Sequence, residues 1–95
     1  MNKPKIIIEY CPKCGWLLRS AWLAQELLTT FQEELAEVTL RSSGTGGLFQ
    51  ITLDDIVVFD RKIAGHFPEA KEIKQIVRDA VFPEKSLGHS DKKTE

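Results

Sequence analysis

The pattern of apolar and polar positions along the chain predicts elements in the order β-α-β-β-β-α. The first apolar run, KIIIEY (residues 5–10), is short and β-branched, as expected of a strand buried on both faces. After Gly15 the apolar residues recur at steps of three and four, which is typical of one face of a helix of about five to six turns. The predicted buried face of this helix comprises Leu17, Ala21, Ala24, Leu28, Phe31 and Leu35.

Three further strands are predicted in the middle of the chain. EVTLR (residues 37–41) alternates and contains β-branched residues, and the glycine-rich SSGTGG follows it. LFQITL (residues 48–53) alternates again. The turn pair Asp54-Asp55 then joins it to IVVFDRK (residues 56–62) as a hairpin.

A second helix is predicted near the end of the chain. Pro68 suits its first position, and Pro83 ends it. Residues 1–83 are therefore predicted to form one domain, followed by a polar, flexible tail at residues 84–95. The buried face of the second helix is predicted to comprise Ala70, Ile73, Ile76, Val77 and Ala80.

This order of elements predicts an α/β fold with a four-stranded mixed sheet and two helices. A strand-helix-strand unit requires a right-handed crossover and a parallel pair of strands. The hairpin adds two antiparallel strands. At 95 residues the chain has room for one small domain.

Composition and charge argue against several classes of function. The formal net charge is −1, with basic and acidic residues interspersed, which argues against nucleic acid or an anionic membrane surface as the main partner. Arg19, Gln25 and Glu26 interrupt the best candidate for a membrane span, and the N-terminus does not resemble a signal peptide. A cytoplasmic location is therefore expected, where structural disulfides are rare.

Two cysteines, Cys11 and Cys14, lie where the first strand ends and the first helix begins. Thioredoxin-like folds place a redox dithiol at this point, because free N–H groups and the helix dipole stabilise a thiolate there. Lys13 adds positive charge. Pro12 restricts the turn without losing a helical hydrogen bond, and Gly15 permits close approach of the chain. The pattern predicts a catalytic pair of cysteines.

The position of each sulfur predicts its role. Cys11 precedes the predicted helix and is expected to be the more exposed sulfur, facing the free N–H groups. Cys14 is expected to lie inside the first turn, shielded by packing. This argument favours Cys11 as the nucleophile.

A zinc site is the competing interpretation of CPKCG. A structural zinc ion requires four ligands, and the remaining favoured donors are His66 and the predicted tail residue His89. Because a helix and no second pair of cysteines follows the motif, no metal site is expected.

Two other features have alternative interpretations. The backbone of Gly44, Thr45, Gly46 and Gly47 could bind a phosphate or a glutathione carboxylate, or could be an ordinary loop. Trp22 falls on the polar side of the predicted helix, either as a docking residue or as an isolated surface aromatic.

The segments YCPKCGW, EVTLR, GLFQI and DRKIAGHFPEAKEIKQ together resemble the selenoprotein W family, in a form with cysteine instead of selenocysteine. The resemblance extends from Lys5 to about Phe82. It implies a thioredoxin-like fold and thiol chemistry, with glutathione as a candidate co-substrate and no resident cofactor. Several members carry selenocysteine at the position of Cys14, which implies attack by the second position, in conflict with the argument from exposure.

One departure from thioredoxin concerns substrate binding. Thioredoxins have a cis-proline before the third strand, where this chain has SSGTGG. The sequence therefore predicts a thiol-disulfide oxidoreductase that contacts thiol or disulfide proteins, or glutathione, differently from thioredoxin. The alternative is a non-catalytic interaction module whose cysteines sense redox state or bind zinc.

Overall fold

Four strands form one mixed sheet in the order β2-β1-β3-β4. They are β1 (Lys5–Tyr10), β2 (Glu37–Ser42), β3 (Phe49–Leu53) and β4 (Ile56–Asp60). β1 is parallel to β2 and antiparallel to β3, and β3 and β4 form the predicted hairpin. The computed structural model, which describes residues 3–88, therefore confirms the predicted α/β class and the mixed sheet.

The helices differ from the prediction in number and length. They are α1 (Leu17–Thr30), α2 (Arg61–Ala64) and α3 (Ala70–Val81). α1 ends before Phe31, so its predicted last turn is a series of non-helical turns. Pro68 is buried two residues before α3 and does not occupy its first position.

The short helix α2 is an addition to the two helices expected from the sequence. It forms where β4 was predicted to continue, because the Asp60 carboxylate accepts hydrogen bonds from the N–H groups of Lys62 (2.9 Å) and Ile63 (3.2 Å). Gly65 ends it in the left-handed region, at φ +85°. A side-chain cap thus turns the chain at the end of the hairpin.

The core lies on one face of the sheet. Ile6 and Ile8 of β1 are fully buried, and β1 pairs with β3 so that Ile51 packs on the same side. Ile7 and Glu9, on the other face, are only half-buried, so the prediction that β1 is buried on both faces is wrong. Both α1 and α3 contribute side chains to this single core cluster.

The buried face of α1 matches the predicted one only in part. Ala24 is buried as predicted, but Leu17 and Leu28 are exposed. Leu23 and Leu27, which were not predicted, are buried instead. This helix is apolar around much of its circumference, so spacing alone did not determine which side faces the sheet. Its packing against α3 is reinforced by an ion pair between Glu26 and Lys74 (2.9 Å).

The described beginning of the predicted tail contacts the domain. Lys85 forms an ion pair with Glu34 (3.0 Å), and Leu87 packs against the core. The rest of the predicted tail, including His89, lies outside the described residues. Among residues 3–88, the helices are too short or too polar to cross a membrane.

Candidate redox site

Cys11 and Cys14 are joined by a disulfide, with their Cα atoms 5.4 Å apart. Cys11 directly follows the central strand β1, and residues 12–15 form a turn before α1. The Gly15 N–H donates to the Pro12 carbonyl (3.0 Å), and Gly15 adopts a φ of +79°, which favours glycine. The two cysteines that the sequence predicted as a pair are therefore brought together.

The two sulfur-bearing residues differ in exposure, and in the opposite sense to the prediction. Cys11 is 2% exposed, because it lies at the end of a strand flanked by neighbours on both sides. Cys14 is exposed, since it lies in the turn outside the sheet and before the helix. The expectation that Cys14 is shielded inside the first helical turn is wrong, because that turn begins only at Leu17.

The surroundings of the exposed cysteine favour a negative charge. No side chain caps the start of α1, and its first turn contains no acidic residue. The N–H groups of this turn therefore retain their positive potential next to the motif. Lys13 and Pro12 are both exposed in the same turn, and the Lys13 ammonium adds to this potential.

A cluster of three aromatic rings lies next to the turn that contains the cysteines. The sequence analysis did not predict this cluster. The rings of Trp16, Phe49 and Phe67 meet edge to face, with centroids 4.8–6.5 Å apart. The Arg19 guanidinium lies 3.9 Å above the Phe67 ring, and that of Arg61 lies 4.8 Å from the Trp16 ring. The one local indication of this cluster in the sequence was Trp16, which follows the second cysteine by two residues.

Arg61 carries an unusual buried group. Its Nε atom is buried and has no hydrogen-bond partner among the described residues. Its guanidinium lies against the rings of Trp16 and Phe67.

Asp60 is held by hydrogen bonds and has a structural role. Gln50 donates to its carboxylate (2.7 Å), and this bond is the main cause that lowers the pKa of Asp60 below its ordinary value of 3.8. The backbone N–H of Ile63 contributes in the same direction. These contacts join β3 to the start of α2.

The glycine loop lies close to the motif. The Ser43 N–H donates to the carbonyl of Tyr10 (2.8 Å), the residue before Cys11. Within the loop, the Thr45 N–H donates to the Ser43 hydroxyl (2.9 Å), and Gly47 adopts a φ of +79°. The loop therefore begins next to the first cysteine.

A cavity of about 260 Å³ borders this loop. Of the four predicted substrate-binding residues, Thr45, Gly46 and Gly47 line the cavity, and Gly44 does not. Lys62 lines the opposite side, with its Cε 3.9 Å from where a Cβ on Gly47 would lie. The cavity lining thus combines loop backbone and apolar side chains with the Lys62 ammonium and the Asp60 carboxylate.

The zinc interpretation gains no further ligands from the described part of the chain. In residues 3–88, no three His, Cys, Asp or Glu side chains are grouped as a metal site would require. His66 has its Nδ1 2.8 Å from the Phe67 carbonyl and its ring against Phe59. The other candidate donor, His89, lies outside the described residues.

Comparison with known sequences identifies one family and two curated relatives. Residues 5–79 match the Rdx family. Migration and invasion enhancer 1 from mouse is 34% identical over 77 residues, which cover 79% of this chain and 63% of that protein. The protein of the same name from cattle is 32% identical over 78 residues, with coverage of 80% and 64%. The match thus spans less than two thirds of the length of these relatives.

Solved structures of bacterial proteins match over more of their length. A crystal structure of a protein from Bordetella parapertussis is 52% identical, has a TM-score of 0.81, and is matched over 84% of this chain and 100% of its own. A selenoprotein W-related protein from Vibrio cholerae is 53% identical, with a TM-score of 0.80 and coverage of 83% and 98%. These similarities agree with the resemblance found in the sequence.

Proposed function

The chain belongs to the Rdx family, and on this premise we propose that it is a thiol-disulfide oxidoreductase in which Cys11 and Cys14 are the redox pair. The observation that carries the proposal is the disulfide itself, which has one exposed cysteine beside an uncapped helix start. A thiolate is the attacking species in disulfide exchange, and this position stabilises one. A cytoplasmic location, where thiols are kept reduced, is part of the proposal.

In the reducing direction, the Cys14 thiolate attacks a substrate disulfide. A bond forms between Cys14 and one substrate sulfur, and the other substrate sulfur leaves as a thiolate. The Cys11 thiolate then attacks the Cys14 sulfur. This closes the Cys11–Cys14 disulfide and releases the second substrate thiol, so two electrons pass from the protein to the substrate. Donor thiols restore the dithiol by the reverse steps.

The burial of the cysteines supports these proposed roles. An incoming substrate reaches Cys14, which is exposed, and not Cys11, which is 2% exposed. Lys13 and the first N–H groups of α1 stabilise the attacking thiolate. Pro12 and Gly15 hold the turn that keeps both sulfurs within bonding distance.

Glutathione is proposed as a co-substrate that supplies the donor thiol. Lys62 and the backbone of Thr45, Gly46 and Gly47 line the glycine-loop cavity and support the binding of a glutathione carboxylate. The Asp60 carboxylate also lines the cavity, where it accepts hydrogen bonds from Gln50 and from the N–H groups that begin α2. Gly44 lies in the loop but does not line the cavity. Other thiol or disulfide proteins are the second class of partner.

A non-catalytic interaction module is the alternative function. In that case the cysteines react once, as a redox sensor, or hold zinc. The observation that favours it is the set of exposed apolar side chains on α1, among them Leu18 and Trp22. Repeated turnover separates an enzyme from a sensor.

Redox equilibration tests the proposed pair. The protein is incubated across ratios of reduced to oxidised glutathione, quenched with acid, alkylated and weighed by mass spectrometry. As the ratio of reduced to oxidised glutathione falls, we expect a single transition from the dithiol to the intramolecular disulfide. At the highest and lowest ratios we expect no protein that carries a glutathione adduct. A chain that retains two alkylated cysteines at every ratio would overturn the redox proposal.

A further inference from the structure

Helix α1 exposes large apolar side chains immediately after the redox motif. Leu18 is 82% exposed, and Leu17 and Trp22 are each 49% exposed. The core does not use these side chains, since Leu23 and Leu27 form the buried face of the helix. Burial of such side chains on a partner would remove apolar surface from water, which is favourable.

A groove lies between these side chains and the segment before α3. Its volume is about 320 Å³. Leu18 and Trp22, one helical turn apart, form one wall, while Phe49 and Pro68 contribute from the other side. Its complete lining is Leu18, Arg19, Trp22, Leu23, Phe49 and Pro68.

Ring contacts connect the groove to the residue that precedes α1, just after the redox motif. Trp16 lies two residues after Cys14 and contacts the groove residue Phe49, at a centroid distance of 6.5 Å. Phe67 contacts both rings and precedes Pro68. The groove residue Leu18 follows Cys14 by four positions, so a short substrate segment whose cysteine has reached Cys14 can also reach the groove.

The charge in the lining of the groove is positive. Arg19 is the charged residue that lines it, and the described lining contains no carboxylate. Lys13 lies in the adjacent motif, and the Arg61 guanidinium stacks on Trp16. This arrangement is complementary to an acidic partner, although the net charge of the chain is −1.

We propose that this groove selects protein substrates: it binds an apolar side chain close to the reacting cysteine, while Arg19 pairs with a neighbouring acidic residue. The inference rests on the proposed oxidoreductase function and names its substrate class. The groove accommodates one or two side chains, so recognition involves a short segment and not a whole surface. Lys13 and Arg19 favour substrates with Asp or Glu over those with Lys.

Peptide kinetics test the inference. Short peptides with one cysteine are supplied as disulfide-linked dimers: one with Leu and Asp beside the cysteine, one with Ser in place of Leu, and one with Lys in place of Asp. For each peptide, the second-order rate constant for reaction with the reduced protein is measured. It is divided by the rate constant for 2-hydroxyethyl disulfide, a reference substrate that is too small to fill the groove. We expect the Leu-Asp peptide to react about tenfold faster than either of the others.

Matched variants locate the preference. Leu18→Ser is expected to abolish the advantage of Leu over Ser, whereas Leu28→Ser, on the same helix outside the groove, is expected to retain it. Arg19→Glu should reverse the preference between Asp and Lys, and Arg19→Lys should keep it. Melting temperatures identify any variant whose loss reflects unfolding.

The outcomes separate this inference from the proposed function. If the three peptides react at equal relative rates while 2-hydroxyethyl disulfide is still reduced, the groove does not select substrates, and the proposed oxidoreductase function stands. Failure to reduce 2-hydroxyethyl disulfide would overturn the oxidoreductase itself. A dimer that Leu18→Ser dissociates would assign the groove to a second copy of the chain and overturn its role in substrate selection.

Discussion

Cys11 is almost fully buried at the end of β1, whereas its disulfide partner Cys14 is exposed in the turn that follows, with the two Cα atoms 5.4 Å apart. Thiol-disulfide exchange requires an incoming sulfur to reach one member of the pair. Of the two cysteines, Cys14 is the exposed one. The burial of the sulfurs thus agrees with the selenoprotein W resemblance and not with the exposure predicted from sequence.

Trapping with single-cysteine variants is expected to show the same asymmetry. Cys11→Ser retains the exposed sulfur, so it should accumulate mixed disulfides with glutathione or with protein partners at neutral pH. Cys14→Ser retains only the buried sulfur and should trap little. Non-reducing gels and mass spectrometry of the two variants, exposed to the same lysate, measure the difference.

The reverse trapping pattern would assign the attack to Cys11. It would keep the redox pair while contradicting the roles derived from burial. Trapping of equal amounts by both variants would show that the buried cysteine becomes accessible in the reduced protein. A double Cys→Ser variant is the control for non-specific association.

Replacement of Arg61 tests whether its partly buried guanidinium stabilises the fold. Its buried Nε has no hydrogen-bond partner among the described residues, which costs about 1–3 kcal/mol, against about 0.5–2 kcal/mol gained over the aromatic rings. Arg61→Met is therefore expected to leave the free energy of unfolding unchanged or to raise it. Denaturation by urea measures this change.

Arg78→Met is the matched comparison. Arg78 donates to the Lys85 carbonyl (2.8 Å) and to the Asp79 carboxylate (2.7 Å), so its loss is expected to cost about 1–2 kcal/mol. An Arg61→Met protein destabilised as much as Arg78→Met would show that the Arg61 guanidinium has a polar role that outweighs its burial.

Acid stability is expected to depend on Asp60. Its pKa is lowered, chiefly by the hydrogen bond from Gln50, so its ionised form stabilises the folded state. This contribution is complete above the ordinary value of 3.8 and is lost as the pH falls through the lower folded-state pKa. Asp60→Asn keeps a cap for α2 without a titrating group, and should flatten the acid side of the stability profile.

Melting temperatures from about pH 7 to about pH 2 measure this effect. Gln50→Leu removes the main cause of the lowered pKa and should give a profile between the wild type and Asp60→Asn. If Asp60→Asn retained the full acid dependence of the wild type, the linkage to Asp60 would be refuted.

Elemental analysis bears on the zinc alternative. The described residues supply the two cysteines without a third neighbouring ligand, and structural zinc requires four. Protein purified without chelators is therefore expected to contain no stoichiometric zinc. About one zinc ion per chain, lost in both Cys11→Ser and Cys14→Ser, would instead support a metal-binding module.

The sequence predicted the sheet well because alternation and turn chemistry are local signals. Phe49, Ile51 and Leu53 lie on one buried face, in keeping with the alternation of the segment, and Asp54 and Asp55 form the predicted hairpin turn with positive φ values. The buried face of α1 was less predictable. Apolar residues occupy several sides of this helix, and only packing against the sheet determines which of them are buried.

The pairing of the two cysteines was predictable from the sequence, but their exposure was not. Spacing identified Cys11 and Cys14, yet their exposure depends on where the helix begins. The helix begins only at Leu17, after its N-cap Trp16, so the second cysteine lies in the turn before the helix and not inside it. The contact between Arg61 and Trp16 joins residues 45 positions apart in sequence, and no local pattern indicates it.

Multiple turnover is the most direct test of the central claim. The protein is supplied with 2-hydroxyethyl disulfide and a thiol donor system in which glutathione is regenerated, and the disulfide reduced per molecule of protein is followed in time. An oxidoreductase is predicted to reduce many equivalents, with the rate abolished in Cys14→Ser. A single equivalent, with no further reaction after the Cys11–Cys14 disulfide has formed, would contradict catalysis and leave a redox sensor.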